Sequence, residues 1–181
     1  LLDFIEREGL QPDAILLTHC HCDHIAGLDD ARAWAARRGI DLPVIGPTAE
    51  RGFCSTPELN LSAFVDQPVS VGEPSRWLEG GETLELDGTQ WAVLATPGHS
   101  PGGLTFHHEP SHQALVGDTL FAGGIGRVDF PTSDPAKLRR SLHEVLLALP
   151  DTTAVYPGHG PATTVGRERR TNPFLAPGAR W

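Results

Sequence analysis

Seven residues near the start of the chain, Thr18-His19-Cys20-His21-Cys22-Asp23-His24, constrain it more than any other stretch. They follow a run that reads as a buried strand, Asp13-Ala14-Ile15-Leu16-Leu17. Three histidines and one carboxylate fall within six positions, 19–24. Imidazole is the commonest protein ligand for zinc, and carboxylates complete such sites. His19 and His21 are two apart, so on extended backbone their side chains leave the same face. Asp23 and His24 follow as the chain turns and can aim at a second point nearby. This H-x-H-x-D-H spacing suits two neighbouring metal ions rather than one. The alternative is a polar loop that is merely rich in histidine, which must set four potential ligands behind an apolar strand by chance.

A chain of 181 residues can bury a real core, and residues 1–181 read as a single domain. The 20 glycines and 16 prolines predict short elements and many turns. No apolar run is long enough to span a bilayer, so no membrane partner is expected. The net charge is −9, which weighs against nucleic acid as a partner. No oligomeric state follows from the sequence. Cys20 and Cys22 are too close for an easy disulfide, and with Cys54 they make an odd, small number. That points to a reducing compartment, and with no targeting segment visible the expected location is cytoplasmic.

Helical spacing of apolar residues predicts helices over 1–8 and 28–38, each followed by a glycine stop. Strands are expected over 13–18 and 43–46, with a short helix beginning within 47–54. From residue 78 the texture becomes β, with strands over 83–86 and 90–96 joined by an Asp87-Gly88 turn. A hairpin over 104–107 and 114–116 follows, then a glycine-bearing loop over 122–131. Asp134-Pro135 reads as a helix cap with proline at the first helical position. The helix behind it sets Leu138, Leu142, Val145, Leu146 and Leu149 on one face. A last strand is expected over 153–156, and a short polar helix or turn over 167–170.

Three more potential ligands share one context, just past a short apolar strand in a loop with glycine. They are His99 in Pro97-Gly98-His99, Asp118 in Gly117-Asp118-Thr119 and His159 in Pro157-Gly158-His159. Strand ends hold side chains rigidly, and glycine lets backbone approach closely. Each alone reads as a turn. Their recurrence in one chain with the early cluster points to a shared centre.

Together these residues resemble the metallo-β-lactamase superfamily, whose signature is H-x-H-x-D-H followed by a later His, Asp and His. Three stretches look like its glyoxalase II branch: Thr96-Pro97-Gly98-His99-Ser100-Pro101-Gly102, Gly117-Asp118-Thr119-Leu120-Phe121 and Tyr156-Pro157-Gly158-His159-Gly160. The closing Glu168-Arg169-Arg170-Thr171-Asn172-Pro173-Phe174 looks like the short bacterial type, hydroxyacylglutathione hydrolase. The resemblance implies an α/β fold, a four-layer αββα sandwich with the site at the sheet ends. It implies one metal on His19, His21 and His99, a second on Asp23, His24 and His159, and Asp118 bridging them. The cofactors would be two divalent ions, zinc first, with iron or manganese as alternatives. The implied reaction is hydrolysis of a thioester such as S-lactoylglutathione by a metal-bridging hydroxide, with Asp23 as the catalytic residue that orients it. Because the β-lactamase branches generally lack a carboxylate where Asp118 stands, the resemblance points away from antibiotic hydrolysis.

Family members carry strands ahead of the metal loop, whereas 18 residues precede His19 here. The expected sandwich lacks its first N-terminal strands here: either the sequence is a fragment, or its sheet has an exposed edge that is an aggregation hazard. Arg127 falls where larger glyoxalase II enzymes have a basic residue facing glutathione, and is the expected substrate-binding residue. Arg167, Arg169 and Arg170 are expected on a surface helix. Cys20 and Cys22 are expected to pack behind the metal loop, and Tyr156 in the core. His107, His108, His112 and His143 are expected at the surface. The alternatives are a mononuclear-iron persulfide dioxygenase, another hydrolase of the same superfamily such as an RNA-processing nuclease, and a metal-binding protein without turnover.

Overall fold

The computed structural model describes every residue except Arg180. Helix α1 (Leu2–Arg7) leads to β1 (Ile15–Leu16), which delivers the His-rich loop. Helices α2 (Cys22–Ile25) and α3 (Leu28–Ala36) follow, then β2 (Val44–Pro47). Glycine ends both α1 and α3 as expected, with Gly9 and Gly39 at positive φ. Next come β3 (Arg76–Leu78), β4 (Thr83–Leu86), β5 (Thr89–Ala95), β6 (Leu104–His108) and β7 (Gln113–Gly117). The chain closes with β8 (Leu120–Phe121), β9 (Gly124–Ile125), α4 (Pro135–Arg140), β10 (Ala154–Pro157), β11 (Thr163–Thr164) and α5 (Val165–Thr171). No helix among the described residues is long and apolar enough to cross a membrane.

Two sheets, flanked by helices, carry the fold. The smaller is parallel, in the order β1-β2-β3, and the larger is mixed, in the order β11-β10-β7-β6-β5-β4. Ile45 and Leu78 of the first sheet pack with Leu84, Val93, Leu104 and Phe106 of the second, so one core lies between the sheets. Leu138, Leu142 and Leu146 cover Ala114, Val116 and Val155 on the outer face of the larger sheet. Leu17, Ile25, Leu28 and Val44 form a third cluster with Phe53, Cys20 and Cys54. The smaller sheet is thus buried on both faces, while the larger one is open at Leu115 and Tyr156.

The helix begun at α4 starts as its sequence predicts: the Asp134 side chain accepts from the Lys137 N–H and Pro135 follows it. Ser141–Val145 then widens into a π turn and Leu146–Ala148 tightens to 3₁₀, leaving Val145 and Leu149 half-buried. The Asp87-Gly88 turn has positive φ at both residues, 46° and 72°, the requirement of a tight hairpin.

Several expectations need correction. The 122–131 loop contains β9, which pairs with β8, and β10 is not the last strand because β11 pairs with it. Strands of two residues leave no periodicity to read. Tyr156 is 41% exposed beside Leu115, its partner across β7, rather than in the core. His107 is buried, not at the surface, since its strand is covered on both faces. Cys22 lines a cleft instead of packing behind the loop, while Cys20 is fully buried as expected.

Candidate metal centre

Strand direction brings the distant ligands together. β5 is antiparallel to β6, and β6 to β7, so β5 and β7 run the same way. β10 is parallel to β7. The loops after β5, β7 and β10 therefore leave one edge of the larger sheet, carrying His99, Asp118 and His159. The Gly158 N–H donates to the Gly117 carbonyl at 2.9 Å, clasping two of those loops. β1 brings its own loop to the same edge, where the Leu104 N–H donates to the Thr18 carbonyl at 2.8 Å.

All seven residues meet there. His21 sits on extended backbone (φ −67°, ψ 153°), and its ring centroid lies 4.8 Å from that of His19. His21 Nδ1 is 3.0 Å from His99 Nε2, and His19, His21 and His99 form one compact group of buried nitrogens. Asp23 and His24, on the single turn of α2, form a second group with Asp118 and His159. His159 Nε2 lies 2.9 Å from Asp23 Oδ2. The Asp118 carboxylate stands between the groups, with Oδ1 3.5 Å from His24 Nε2 and Oδ2 3.6 Å from both His99 Nε2 and His159 Nε2.

The polar accounting supports two cation sites. His19 Nε2, His24 Nε2 and Asp118 Oδ1 are buried without a hydrogen-bond partner. Orphaned acceptors in a buried place are costly, and a cation satisfies several at once. The opposite nitrogens are oriented: His99 Nδ1 donates to the Arg127 carbonyl at 2.9 Å, and His19 Nδ1 lies 3.2 Å from Thr18 Oγ1. A donor on Nδ1 leaves Nε2 as a lone pair aimed into the centre.

The electrostatics agree. Burial and neighbouring imidazoles hold His19 well below the ordinary histidine value, and burial holds His99 below it. His21 is pushed down to about 4 by burial and by His99. These rings are neutral at physiological pH, as metal ligation requires. Burial raises the Asp118 carboxyl, but His24, His99 and His159 outweigh it and keep Asp118 below the usual carboxylate range. Burial lowers His24, but Asp118 and Asp23 outweigh it and lift that ring above its ordinary value.

A pH dependence follows for the metal-free protein. Between pH 6.5 and about 4 the unfolded chain binds more protons at His21 than the folded one. Stability therefore falls as pH falls through that window, by about 3 kcal/mol from His21 alone. His19 acts in the same sense. His24 runs the other way: its contribution is complete below its ordinary value and is lost as pH rises through its raised one. Urea midpoints measured on chelator-treated protein at pH 7 and pH 4.5 should differ accordingly.

Gly158 illustrates how tightly the second group is packed. A Cβ there would collide with Asp118 Oδ1 and sit 2.7 Å from His24 Cε1. Gly158→Ala is expected to weaken metal binding by about 10–100-fold, the scale of losses when ligands are mis-set. Competition with a graded series of chelators would measure it.

Sequence reasoning missed Glu50. This fully buried carboxylate accepts from the Cys20 N–H at 2.5 Å and from the Gly102 N–H at 2.8 Å. It joins the loop of His19 and His21 to the loop of His99. No signal in the sequence marks it, because it lies in a short 3₁₀ turn far from either loop. Arg127 lines the cleft, and its guanidinium bonds both oxygens of Asp129, at 2.9 and 2.8 Å. Arg169 and Arg170 pair with Asp151, outside the cleft.

The centre opens into a cleft of about 690 Å³. The family model described as the metallo-beta-lactamase superfamily matches residues 2–159. A probable metallo-hydrolase of Bacillus subtilis, YqgX, is 40% identical over 95% of this chain and 80% of its own length. Hydroxyacylglutathione hydrolase GloC of Haemophilus influenzae is 37% identical over 97% of this chain and 81% of its own. Among solved structures, the BLEG-1 B3 metallo-beta-lactamase superposes with a TM-score of 0.89 at 38% identity, covering 97% of this chain and 83% of that one. TTHA1623, solved in a di-iron-bound form, superposes at 0.82 and 41% identity over 96% and 83%. Two clusters of potential ligands and these likenesses support a metal-dependent hydrolase.

Proposed function

The chain belongs to the metallo-beta-lactamase superfamily, and on that premise we propose that it hydrolyses thioesters, with S-lactoylglutathione as the representative substrate. The observation that carries this is the Asp118 carboxylate set between two complete groups of ligands. His19, His21 and His99 would hold one divalent ion, and Asp23, His24 and His159 a second, with Asp118 shared. Such a pair supplies Lewis acidity and an activated water for carbonyl hydrolysis. Zinc is the first choice, and the likeness to a di-iron protein keeps iron open to direct measurement.

The chain's own groups supply the rest. Asp23, half-exposed at the cleft, is the residue we assign to orient the attacking water. Arg127 lines the cleft and is the candidate substrate-binding residue. The name of the Haemophilus relative supports a glutathione-derived thioester, and three free thiols fit a reducing, cytoplasmic location. The single-domain reading of residues 1–181 and the four-layer αββα arrangement belong to the same proposal.

The likeness to the solved B3 metallo-beta-lactamase favours a second reading, hydrolysis of a cyclic amide. Metal-loaded protein is expected to release free thiol from S-lactoylglutathione and to leave a chromogenic cephalosporin intact. The reverse pattern establishes the second reading. One iron per chain with oxygen uptake establishes a persulfide dioxygenase instead.

A further inference from the structure

The cleft has a polarity that thioester hydrolysis by itself does not demand. Beyond the ligands it is lined by Leu61, Phe64, Val65, Phe121 and Phe130. Phe64 is 68% exposed and Val65 55%, so two large apolar side chains stand in solvent at its mouth. They follow Leu61, which holds φ at 70°, a conformation that costs a branched residue energy. Arg127 is the one arginine or lysine in the lining, and its fork is already filled by Asp129 two residues away. The same guanidinium lies over the Phe130 ring, 4.5 Å from its centroid. Asp23 and Asp118 belong to the proposed metal centre, so Asp129 is the one remaining carboxylate in the lining.

Asp129 takes the Nε–Nη2 edge of the guanidinium and neutralises its charge. The one basic side chain in the lining therefore offers an anionic arm no net positive charge. An anionic arm must share Arg127 with Asp129, whereas an apolar arm covers Phe64 and Val65 and leaves the ion pair undisturbed. We propose that the cleft selects thioesters whose thiol arm is uncharged and apolar, with Asp129 as the specificity-determining residue that keeps Arg127 occupied. This rests on the thioester reading and narrows it.

The test compares lactoyl thioesters of benzyl mercaptan and of glutathione on the metal-loaded full chain. The benzyl ester is expected to have the higher kcat/KM, by about tenfold. Asp129→Asn is expected to raise kcat/KM for the glutathione ester about three- to tenfold, with a gain that shrinks as salt is added. Phe64→Ser is expected to lower it for the benzyl ester about fivefold. Both side chains are exposed, so neither change empties a core. Calorimetric binding of benzyl methyl sulfide against S-methylglutathione reads the same preference without turnover. Preference for the glutathione arm in either format overturns the proposal, as does a ratio that neither substitution moves. If neither ester is hydrolysed above an Asp118→Ala control, the thioester reading falls by itself, and the thioether pair still decides the polarity of the cleft.

Discussion

Replacing Asp118 by alanine is expected to cut thioester hydrolysis by about a thousandfold. The same change should lower bound metal from about two ions per chain toward one. The argument is electrostatic. Two dications close together repel, and Asp118 is the anion placed within 3.6 Å of nitrogens from both groups. Its loss leaves His24 with burial opposed only by weaker partners, so the His24 ring in metal-free protein should titrate below wild type. Metal content by elemental analysis and the His24 titration by NMR check both halves. Asp118→Asn keeps the shape and removes the charge. Full metal occupancy and wild-type turnover in that variant would reject the shared-carboxylate arrangement.

Glu50→Ala is expected to be strongly destabilising although Glu50 lies outside the ligand set. It strips the acceptor from the Cys20 and Gly102 N–H groups in a fully buried place. Two stranded donors and the cavity cost about 3–5 kcal/mol together. The variant should also bind metal more weakly, since the His19–His21 loop and the His99 loop lose their common tie. Glu50→Gln keeps one oxygen acceptor and should fall between. Denaturant midpoints and metal affinity, measured on both variants, separate the fold from the site. A Glu50→Ala protein as stable as wild type would show that the tie carries no load.

Much of this was legible because it is local. The Asp134-Pro135 cap, the Asp87-Gly88 turn and the glycine stops at Gly9 and Gly39 act over a few residues, and the structure places each as predicted. The ligand positions were legible because residue type and position past a strand are written in the chain. Two-residue strands such as β9 and β11 were not, since pairing with a neighbour, rather than pattern, makes them strands. Tyr156 looked like core by type, yet its face is left open where the smaller sheet does not cover it.

By itself the sequence determined which side chains are able to bind cations and which short elements carry them. Only the tertiary structure decided what those side chains meet. Strand direction set three distant loops on one edge, long-range packing recruited Glu50 behind them, and Asp129 claimed the guanidinium of Arg127. The physical reason is range: propensity and capping act within a turn or two of chain. Partner choice at a buried or convergent site is settled by which segments fold against each other.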